Sequence, residues 1–196
     1  MRARLALAVM LAATVPVPAG AQWSIGPEFG VLSFSPSARD TATGADLGPS
    51  RATAFGLRFA RSGTRMGIEL RMRYATSGLA ATNGDITVIQ ERVFKLYDIS
   101  SMASWRLARL GVATTLQMAA GPVLSIWKAR GGESRARVGA TAGLNLRVIL
   151  SPRYHLSIRA EAGVSPSVFD QSDLIADAER RTSWRRGAAL EVGRSL

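Results

Sequence analysis

Strict alternation of apolar and polar residues is the feature that most constrains the fold of this chain. It is clearest between Met66 and Tyr74, where every second residue is large and apolar and the residues between are glycine or charged. Because successive side chains of a β-strand point to opposite faces, this pattern gives one apolar face and one charged face. In a helix the same residues would place charge all around the axis. The segment is therefore predicted to be a β-strand.

The same alternation recurs along the chain and predicts seven further strands. They lie within the segments 24–35, 54–60, 91–106, 114–128, 138–148, 155–164 and 187–193. The strands are expected to be long, about 10–16 residues, against a usual globular length of about 5–6. The predicted fold class is all-β: a closed, eight-stranded antiparallel up-and-down β-barrel.

The first 21 residues differ from the rest of the chain. Arg2 and Arg4 precede an apolar run from Leu5 to Val15, and an A-x-A end follows at 19–21. This order is typical of a secretory signal peptide, and the run is shorter than the roughly 20 residues of a membrane-spanning helix. The predicted organisation is a signal peptide over 1–21 and a barrel over 22–196, with a buried N-terminal helix as the alternative.

Composition removes several classes of function. The chain has 196 residues, no cysteine and a formal net charge of +11. Without cysteine there can be no disulfide framework, zinc finger or thiol nucleophile. The positive charge would permit nucleic-acid binding, but many arginines alternate with apolar residues on strands, and export removes that partner. No nucleic-acid partner is therefore expected.

The connections favour a transmembrane barrel, which has short periplasmic turns and longer outer loops. The long connections are predicted at 36–50, 76–87, 129–134 and 166–182, and the short ones at 62–65, 107–112 and 151–153. Small residues on the charged face agree with this, because they leave room for long charged side chains in a narrow lumen. These residues are Gly56, Ala60, Gly67, Gly139, Gly143, Gly163, Gly187, Ala189 and Gly193. A soluble periplasmic lipocalin-like binder, with its apolar face inside, is the alternative.

Aromatic residues near the predicted strand ends indicate two girdles at the membrane interfaces. The predicted inner girdle comprises Trp23, Phe59, Trp105 and Tyr154. The predicted outer girdle comprises Phe34, Tyr74, Trp127, Phe169 and Trp184. Aromatic residues at strand ends also occur in soluble sandwiches, so this pattern supports the membrane barrel without excluding the alternative.

Several segments resemble the small outer-membrane β-barrel proteins of Gram-negative-type bacteria (the outer membrane protein β-barrel domain family). The glycine-proline phrases at Ile25–Gly30 and Ala119–Val123 are similar to phrases common in those proteins. The last strand resembles their assembly signal, which is formed here by Arg185, Gly187, Leu190 and Val192. Such chains usually end in an aromatic residue, whereas this one ends in Leu196.

This resemblance implies a location and partners. The protein is expected in the cell outer membrane, in contact with outer-membrane lipids and lipopolysaccharide. The barrel-assembly machinery is the expected partner during insertion. The oligomeric state is left open.

The charged strand face is expected to form one network inside the barrel. Its predicted members are Glu28, Arg58, Glu69, Arg71, Arg73, Asp98, Arg147, Arg159, Glu161 and Glu191. Because isolated buried charges are costly, these groups must pair with one another or with water. An eight-stranded interior is just wide enough to be filled by side chains, which favours a plug that fixes strand register. The alternative is a gate in a narrow pore for ions or small solutes.

Two patterns invite a catalytic interpretation. His155, Ser157 and Glu161 share one strand face, and His155-x-Ser157 weakly resembles the motif of the outer-membrane lipid A deacylase, so a lipid A-modifying hydrolase is a further alternative. However, same-face neighbours lie about 7 Å apart. The pair also follows an inner turn, far from the outer leaflet. The Ser-x-x-Lys at Ser125–Lys128 lies on a strand, where the required helical turn is missing.

No metal or cofactor site is predicted. The acidic residues of the last outer loop lack the spacing of a calcium-binding EF-hand; they are Asp170, Asp173, Asp177 and Glu179. We therefore expect no catalytic, cofactor-binding or metal-binding residues. The expected role is structural or interactive, exerted through the outer loops of a barrel with a plugged polar lumen.

Overall fold

The computed structural model describes residues 22–171, 174 and 178–196, and these residues form eleven strands. In chain order the strands are β1 (Gln22–Phe34), β2 (Ala38–Asp40), β3 (Asp46–Pro49), β4 (Ala52–Ser62), β5 (Met66–Asn83), β6 (Ile86–Arg109), β7 (Thr114–Ala129), β8 (Ser134–Ile149), β9 (Tyr154–Ser165), β10 (Ala178–Arg180) and β11 (Ser183–Ser195). The predicted signal peptide, Asp173 and Asp177 lie outside the described residues. Within those ranges no helix is long and apolar enough to cross a membrane.

Eight of the strands close a barrel. Each pairs antiparallel with its neighbours around the ring β1–β4–β5–β6–β7–β8–β9–β11, and β11 pairs with β1 to complete it. The barrel strands run from 11 residues in β4 to 24 residues in β6. The predicted closed, eight-stranded up-and-down barrel is confirmed.

The two ends of the barrel differ. Three short connections, at 63–65, 110–113 and 150–153, lie at one end together with the start of β1 and the end of β11. The other end has the turns at 84–85 and 130–133 and the two long connections, 35–51 and 166–182, which contain β2, β3 and β10. Following the asymmetry of transmembrane barrels, we refer to the short-turn end as the periplasmic end and to the other as the outer end.

The second outer connection is a hairpin, so the loop predicted at 76–87 is wrong. Strands β5 and β6 continue beyond the barrel and turn only at Gly84 and Asp85. Gly84 has φ of 58°, a left-handed conformation that glycine adopts without strain and that tight hairpin turns require. The β-branched residues around the turn favour the extended strands. Strand β3 adds to the free side of β5, and β2 and β10 extend this outer sheet.

Charged groups fill the barrel and apolar groups cover its outside. Arg58 and Arg71 are each 1% exposed, whereas Phe55 on the same strand as Arg58 is 57% exposed. The alternation predicted from the sequence is thus confirmed, with the apolar face outward. Such a contiguous apolar exterior is incompatible with a soluble protein and suits lipid. This face assignment also excludes the soluble lipocalin-like alternative, which needs an apolar interior.

The small residues of the charged face leave room for the arginines, as predicted. A Cβ atom added at Gly56 would lie 2.7 Å from Cγ of Arg73, and one at Gly163 would lie 2.9 Å from Nε of Arg185. Both distances are shorter than a Cβ atom tolerates to a neighbouring heavy atom. Glycine at these positions therefore allows the long side chains to fold across the lumen.

The aromatic prediction is right at the periplasmic end and partly wrong at the outer end. All four predicted inner-girdle residues lie on the outward face. At the outer end Tyr74 and Trp184 also face outward, but Phe34, Trp127 and Phe169 lie inside the barrel mouth. Trp127 is 4% exposed, and its ring packs edge-on against Phe34 and Phe94. Strand parity explains the error, since Trp127 shares the inward face of Ser125.

These inward aromatic residues belong to an apolar cluster that we call the apolar cap. Its members are Leu32, Phe34, Phe94, Leu96, Trp127, Val168 and Phe169. Five come from barrel strands, and Val168 and Phe169 come from the connection after β9. The cap therefore occupies the outer part of the lumen, above the charged groups.

Candidate functional site

All ten residues predicted for the lumen project into it, and the structure links most of them by ion pairs. Two further side chains join them, Arg185 and His155. We call these twelve residues the lumenal network. They come from β1, β4, β5, β6, β8, β9 and β11, so nearly every strand of the barrel contributes.

One half of the network is built around Arg58. Its guanidinium contacts Glu69 through Nε at 3.0 Å and Glu191 through Nη1 at 2.8 Å. Glu69 also accepts a hydrogen bond of 2.6 Å from Nη2 of Arg159. Glu191 lies 3.4 Å from Nε2 of His155. Two carboxylates thus share two guanidinium groups and an imidazole, and charge-assisted contacts of this kind are the strong ones.

The other half is built around Glu161 and Asp98. Glu161 accepts hydrogen bonds from both Arg71 and Arg73. Arg71 forms a second ion pair with Glu28 at 3.1 Å. Asp98 pairs with Arg73 at 3.1 Å and with Arg185 at 2.5 Å. Each guanidinium that reaches two carboxylates ties together strands that are not neighbours in the sheet.

Several of these ion pairs cross the full width of the barrel. Strands β5 and β9 are four positions apart in the ring of eight, and so are β6 and β11. Glu161 on β9 holds Arg71 and Arg73 on β5, and Arg159 on β9 reaches back to Glu69 on β5. Asp98 and Arg185 link β6 to β11 in the same way. The lumenal network therefore links strands on opposite sides of the barrel.

The charges of the network nearly balance. It contains five carboxylates, and it contains the guanidinium groups of Arg58, Arg71, Arg73, Arg147, Arg159 and Arg185, which leaves one positive charge in excess with His155 neutral. Among the described residues no carboxylate forms an ion pair with Arg147, and Nη2 of Arg147 lies 3.1 Å from Nδ1 of His155. Within the described residues, Nε and Nη1 of Arg159 have no hydrogen-bond partner, so this part of the lumen has polar groups suited to water.

His155 and Ser157 face the lumen and are each 1% exposed. The imidazole contacts Arg147 and Glu191, and no hydrogen bond joins it to the Ser157 hydroxyl in the described part of the chain. Both residues lie near the periplasmic end, four residues or fewer into β9. A lipid in the outer leaflet would reach neither of them.

The lumenal roles of Arg185 and Ser125 were not predicted from the sequence. Arg185 was assigned only to the assembly signal, and Ser125 donates a hydrogen bond of 2.6 Å to Asp98. The alternation of β11 contains the missing information, since Arg185 shares the inward parity of Glu191. The other residues of the predicted assembly signal are divided between the two faces of β11. Gly187 faces inward, and Leu190 and Val192 are exposed outside.

Hydrogen bonds and ion pairs hold the connection after β9 across the mouth of the barrel. The Ser167 hydroxyl donates to the Ser37 carbonyl at 2.7 Å, and the Ser167 carbonyl accepts from Nε of Arg137 at 2.7 Å. Arg137 and Arg135 both pair with Asp170, at 2.7 and 3.0 Å. These contacts hold Val168 and Phe169 in the apolar cap. Asp170, one of the acidic residues weighed for a metal, is thus engaged by arginine.

No metal-type arrangement of side chains is present among the residues that the structure describes: no three His, Asp or Glu side chains converge there in the manner of a metal site. The carboxylates of the lumen are instead shared among arginines.

A closed ring of eight long strands, an apolar exterior and a charged lumen define a transmembrane β-barrel of the bacterial outer-membrane type. No protein-family model matches the chain, and no curated protein matches it either. Solved structures do share its fold. The outer membrane protein OprG from Pseudomonas aeruginosa superposes with a TM-score of 0.60 at 10% identity, covering 90% of this chain and 96% of that one. Neisserial surface protein A (NspA) gives a TM-score of 0.57 at 12% identity, covering 89% and 99%.

Proposed function

We propose that this protein is an integral outer-membrane barrel that conducts no solute, catalyses no reaction and acts through its outer surface. The single observation that carries the proposal is the double filling of the lumen, by the lumenal network and, above it, by the apolar cap. A solute would have to pass both layers. The narrow pore and the lipid A-modifying hydrolase are the competing functions.

Geometry argues against a simple ion gate. Opening the lumen would break ion pairs that join opposite walls, and each broken pair would leave a buried charge without its partner. The apolar cap would also have to move, although Ser167 and Asp170 hold its connection to the rim. A structural plug satisfies all these contacts without any rearrangement.

The outer sheet supplies the surface for an interaction role. The β5–β6 hairpin, β3, β2 and β10 form one continuous sheet beyond the barrel. Ile86, Val88 and Ile89 near its tip are 71%, 64% and 56% exposed. Exposed apolar side chains on a rigid strand pair are typical of contact surfaces.

Two measurements on the purified protein test the proposal. A shift in gel mobility on boiling, from a detergent-extracted membrane fraction, is expected for a closed barrel. Planar bilayers with the same folded protein should then remain silent. Discrete current steps from protein that shows the mobility shift would support the pore instead. A change in lipid A on expression that disappears in Ser157→Ala would support the hydrolase.

We further propose that Arg185, Gly187, Leu190 and Val192 serve as the assembly signal of the last strand. Leu190 and Val192 are suited to a test because they face outward and touch no lumenal group. Leu190→Ser should lower the fraction of heat-modifiable protein in the membrane. Ile158→Ser is the matched control, since Ile158 lies directly opposite Leu190 on β9 and is similarly exposed. An equal loss in both variants would mean that only lipid contact matters.

A further inference from the structure

The only two lysines of the chain face each other across neighbouring strands. Lys95 on β6 is the direct antiparallel partner of Lys128 on β7, and both side chains are exposed. Directly opposed residues have Cβ atoms about 4.5–5.5 Å apart, and like charges so placed are destabilising. An arrangement of this kind is costly unless an anion lies between the two ammonium groups.

Both lysines lie on the lipid-facing surface. Their chain neighbours Phe94 and Trp127 point inward into the apolar cap, so strand parity directs Lys95 and Lys128 outward. The next outward pair toward the membrane is Tyr97 with Ile126. The rings of Tyr97 and Tyr74 lie 5.2 Å apart and mark the outer edge of the apolar band.

The height of this band places the lysines at the headgroups. From Tyr97 to Leu107 the strand covers ten residues, and with a rise of about 3.4 Å and a tilt of about 40° this spans about 25 Å. That is the usual height of the apolar band of an outer-membrane barrel. Lys95 and Lys128 lie one outward step beyond Tyr97, at the height expected for the outer-leaflet headgroups.

A further basic group and two hydroxyl groups lie beside the two lysines. Arg130 follows Lys128 on the same face, and its backbone N–H donates to the Val93 carbonyl at 2.8 Å. The row of Lys95 and Lys128 continues to Thr76 on one side and to Ser134 on the other. Among the ion pairs found in residues 22–171 and 178–196, none includes either lysine.

We propose that Lys95 and Lys128, flanked by Arg130, bind a phosphate monoester of the outer-leaflet glycolipid, lipid A. A phosphate monoester carries nearly two negative charges and three acceptor oxygens, so it can neutralise two ammonium groups at once. Basic groups at this depth are recognised features of lipid headgroup sites. The proposal rests on the outer-membrane orientation in the proposed function, but not on the closed lumen.

The test compares the full folded barrel with Lys95→Gln/Lys128→Gln in micelles of a neutral detergent containing defined lipids. The readout is the temperature at which the unboiled gel mobility is lost. Diphosphorylated lipid A should raise this temperature for the wild type and not for the double variant. Arg109→Gln/Arg153→Gln is the matched control, because it removes two exposed charges at the periplasmic end and should respond like the wild type.

Three comparisons decide the source of the phosphate. The comparison compounds are lipid A stripped of phosphate, phosphatidylglycerol at equal mole fraction, and inorganic phosphate. Each should raise the temperature at which the folded mobility is lost by much less than half of the increase that lipid A gives. An equal shift with phosphatidylglycerol or with inorganic phosphate would overturn the assignment to a glycolipid monoester. An equal lipid A shift in the double glutamine variant would overturn the site itself.

The repulsion between the lysines gives an independent check. In micelles without anionic lipid, the double glutamine variant should keep the gel mobility of the folded barrel to a higher temperature than the wild type. Lys95→Arg/Lys128→Arg should keep most of the lipid A shift, since it preserves both charges. Glutamine protein that shows no mobility shift on boiling has failed to insert, which is a failure of the barrel rather than of this site. If the inserted glutamine variant instead lost the folded mobility at a lower temperature than the wild type in micelles without anionic lipid, the proposal would be contradicted.

Discussion

At the scale of the residue, the lumen is organised by guanidinium groups that each serve two carboxylates. Arg58 joins Glu69 to Glu191, and Arg73 joins Glu161 to Asp98. The planar fork of arginine suits this bridging, whereas a lysine ammonium offers no such geometry. This difference fits the composition of the chain, because both of its lysines lie outside and the lumenal network contains six arginines and no lysine.

Glu161→Gln should destabilise the barrel, because Glu161 is the carboxylate that receives both Arg71 and Arg73. Removing one partner of a buried ion pair typically costs on the order of 3–5 kcal/mol. The loss should appear in the free energy of unfolding by urea in lipid vesicles. Glu133→Gln, in the exposed turn between β7 and β8, is the control and should change it little. A value for Glu161→Gln equal to the control would mean that water replaces the carboxylate.

Gly56→Ala should also destabilise the barrel, for a steric reason. The added Cβ would lie 2.7 Å from both Cγ of Arg73 and the backbone oxygen of Met72. Such overpacking typically costs about 1–3 kcal/mol. Gly132→Ala is the matched control, since its nearest neighbour, Cβ of Ala129, lies 3.3 Å away at an exposed turn. Equal unfolding free energies for the two variants would show that Arg73 moves aside freely.

At the scale of the element, strand parity was the part of the site that the sequence predicted best. Alternation alone assigned all ten predicted lumen residues to one face, because the side-chain period of a strand is two and charged residues mark the inward parity. The prediction was wrong where the usual location of a residue type was preferred over strand parity. Trp127 is a typical interfacial residue, yet it follows Ser125 at a spacing of two and therefore points into the barrel mouth.

The position of Trp127 can be measured by fluorescence quenching from brominated lipids. The chain has four tryptophans, so proteins that retain only Trp127 or only Trp184 are made by replacing the others with phenylalanine. Trp184, which is 57% exposed on the outer face, should be quenched strongly. Trp127 should be quenched weakly and should emit at shorter wavelength, since it packs against Phe94. Similar quenching of the two tryptophans would mean that Trp127 faces the lipid, as part of the outer girdle.

At the scale of the whole molecule, the cross-lumen pairing could not be predicted from the sequence. Neighbouring strands are linked by turns, so their register follows from the chain. Contacts between opposite strands such as β5 and β9 depend instead on the tilt and stagger of the closed barrel. The hairpin extension was missed for a related reason, because β3 pairs with β5 from a distant part of the chain and stabilises residues that look like a loop.

The two layers of the lumen make a prediction about conductance that neither layer makes alone. Trp127→Ala/Phe169→Ala removes two of the four aromatic rings of the apolar cap and should still leave planar bilayers silent, because the pairs from β5 to β9 and from β6 to β11 cross the lumen below it. Adding Arg73→Ser and Glu161→Ser removes one cation and one anion together, so the net charge of the lumenal network is unchanged.

This fourfold variant should also stay silent, since the Asp98–Arg185 and Arg159–Glu69 pairs still cross the lumen and the interior of an eight-stranded barrel is closed by the side chains that fill it. Discrete current steps from it would mean that Arg73 and Glu161 are the groups that close the lumen. Tyr97→Ala/Trp184→Ala, which removes two aromatic rings from the outward face, is the control for aromatic loss and should stay silent. Steps from the double variant Trp127→Ala/Phe169→Ala would mean that the cap alone closes the barrel. The ion pairs would then stabilise the wall without blocking the passage.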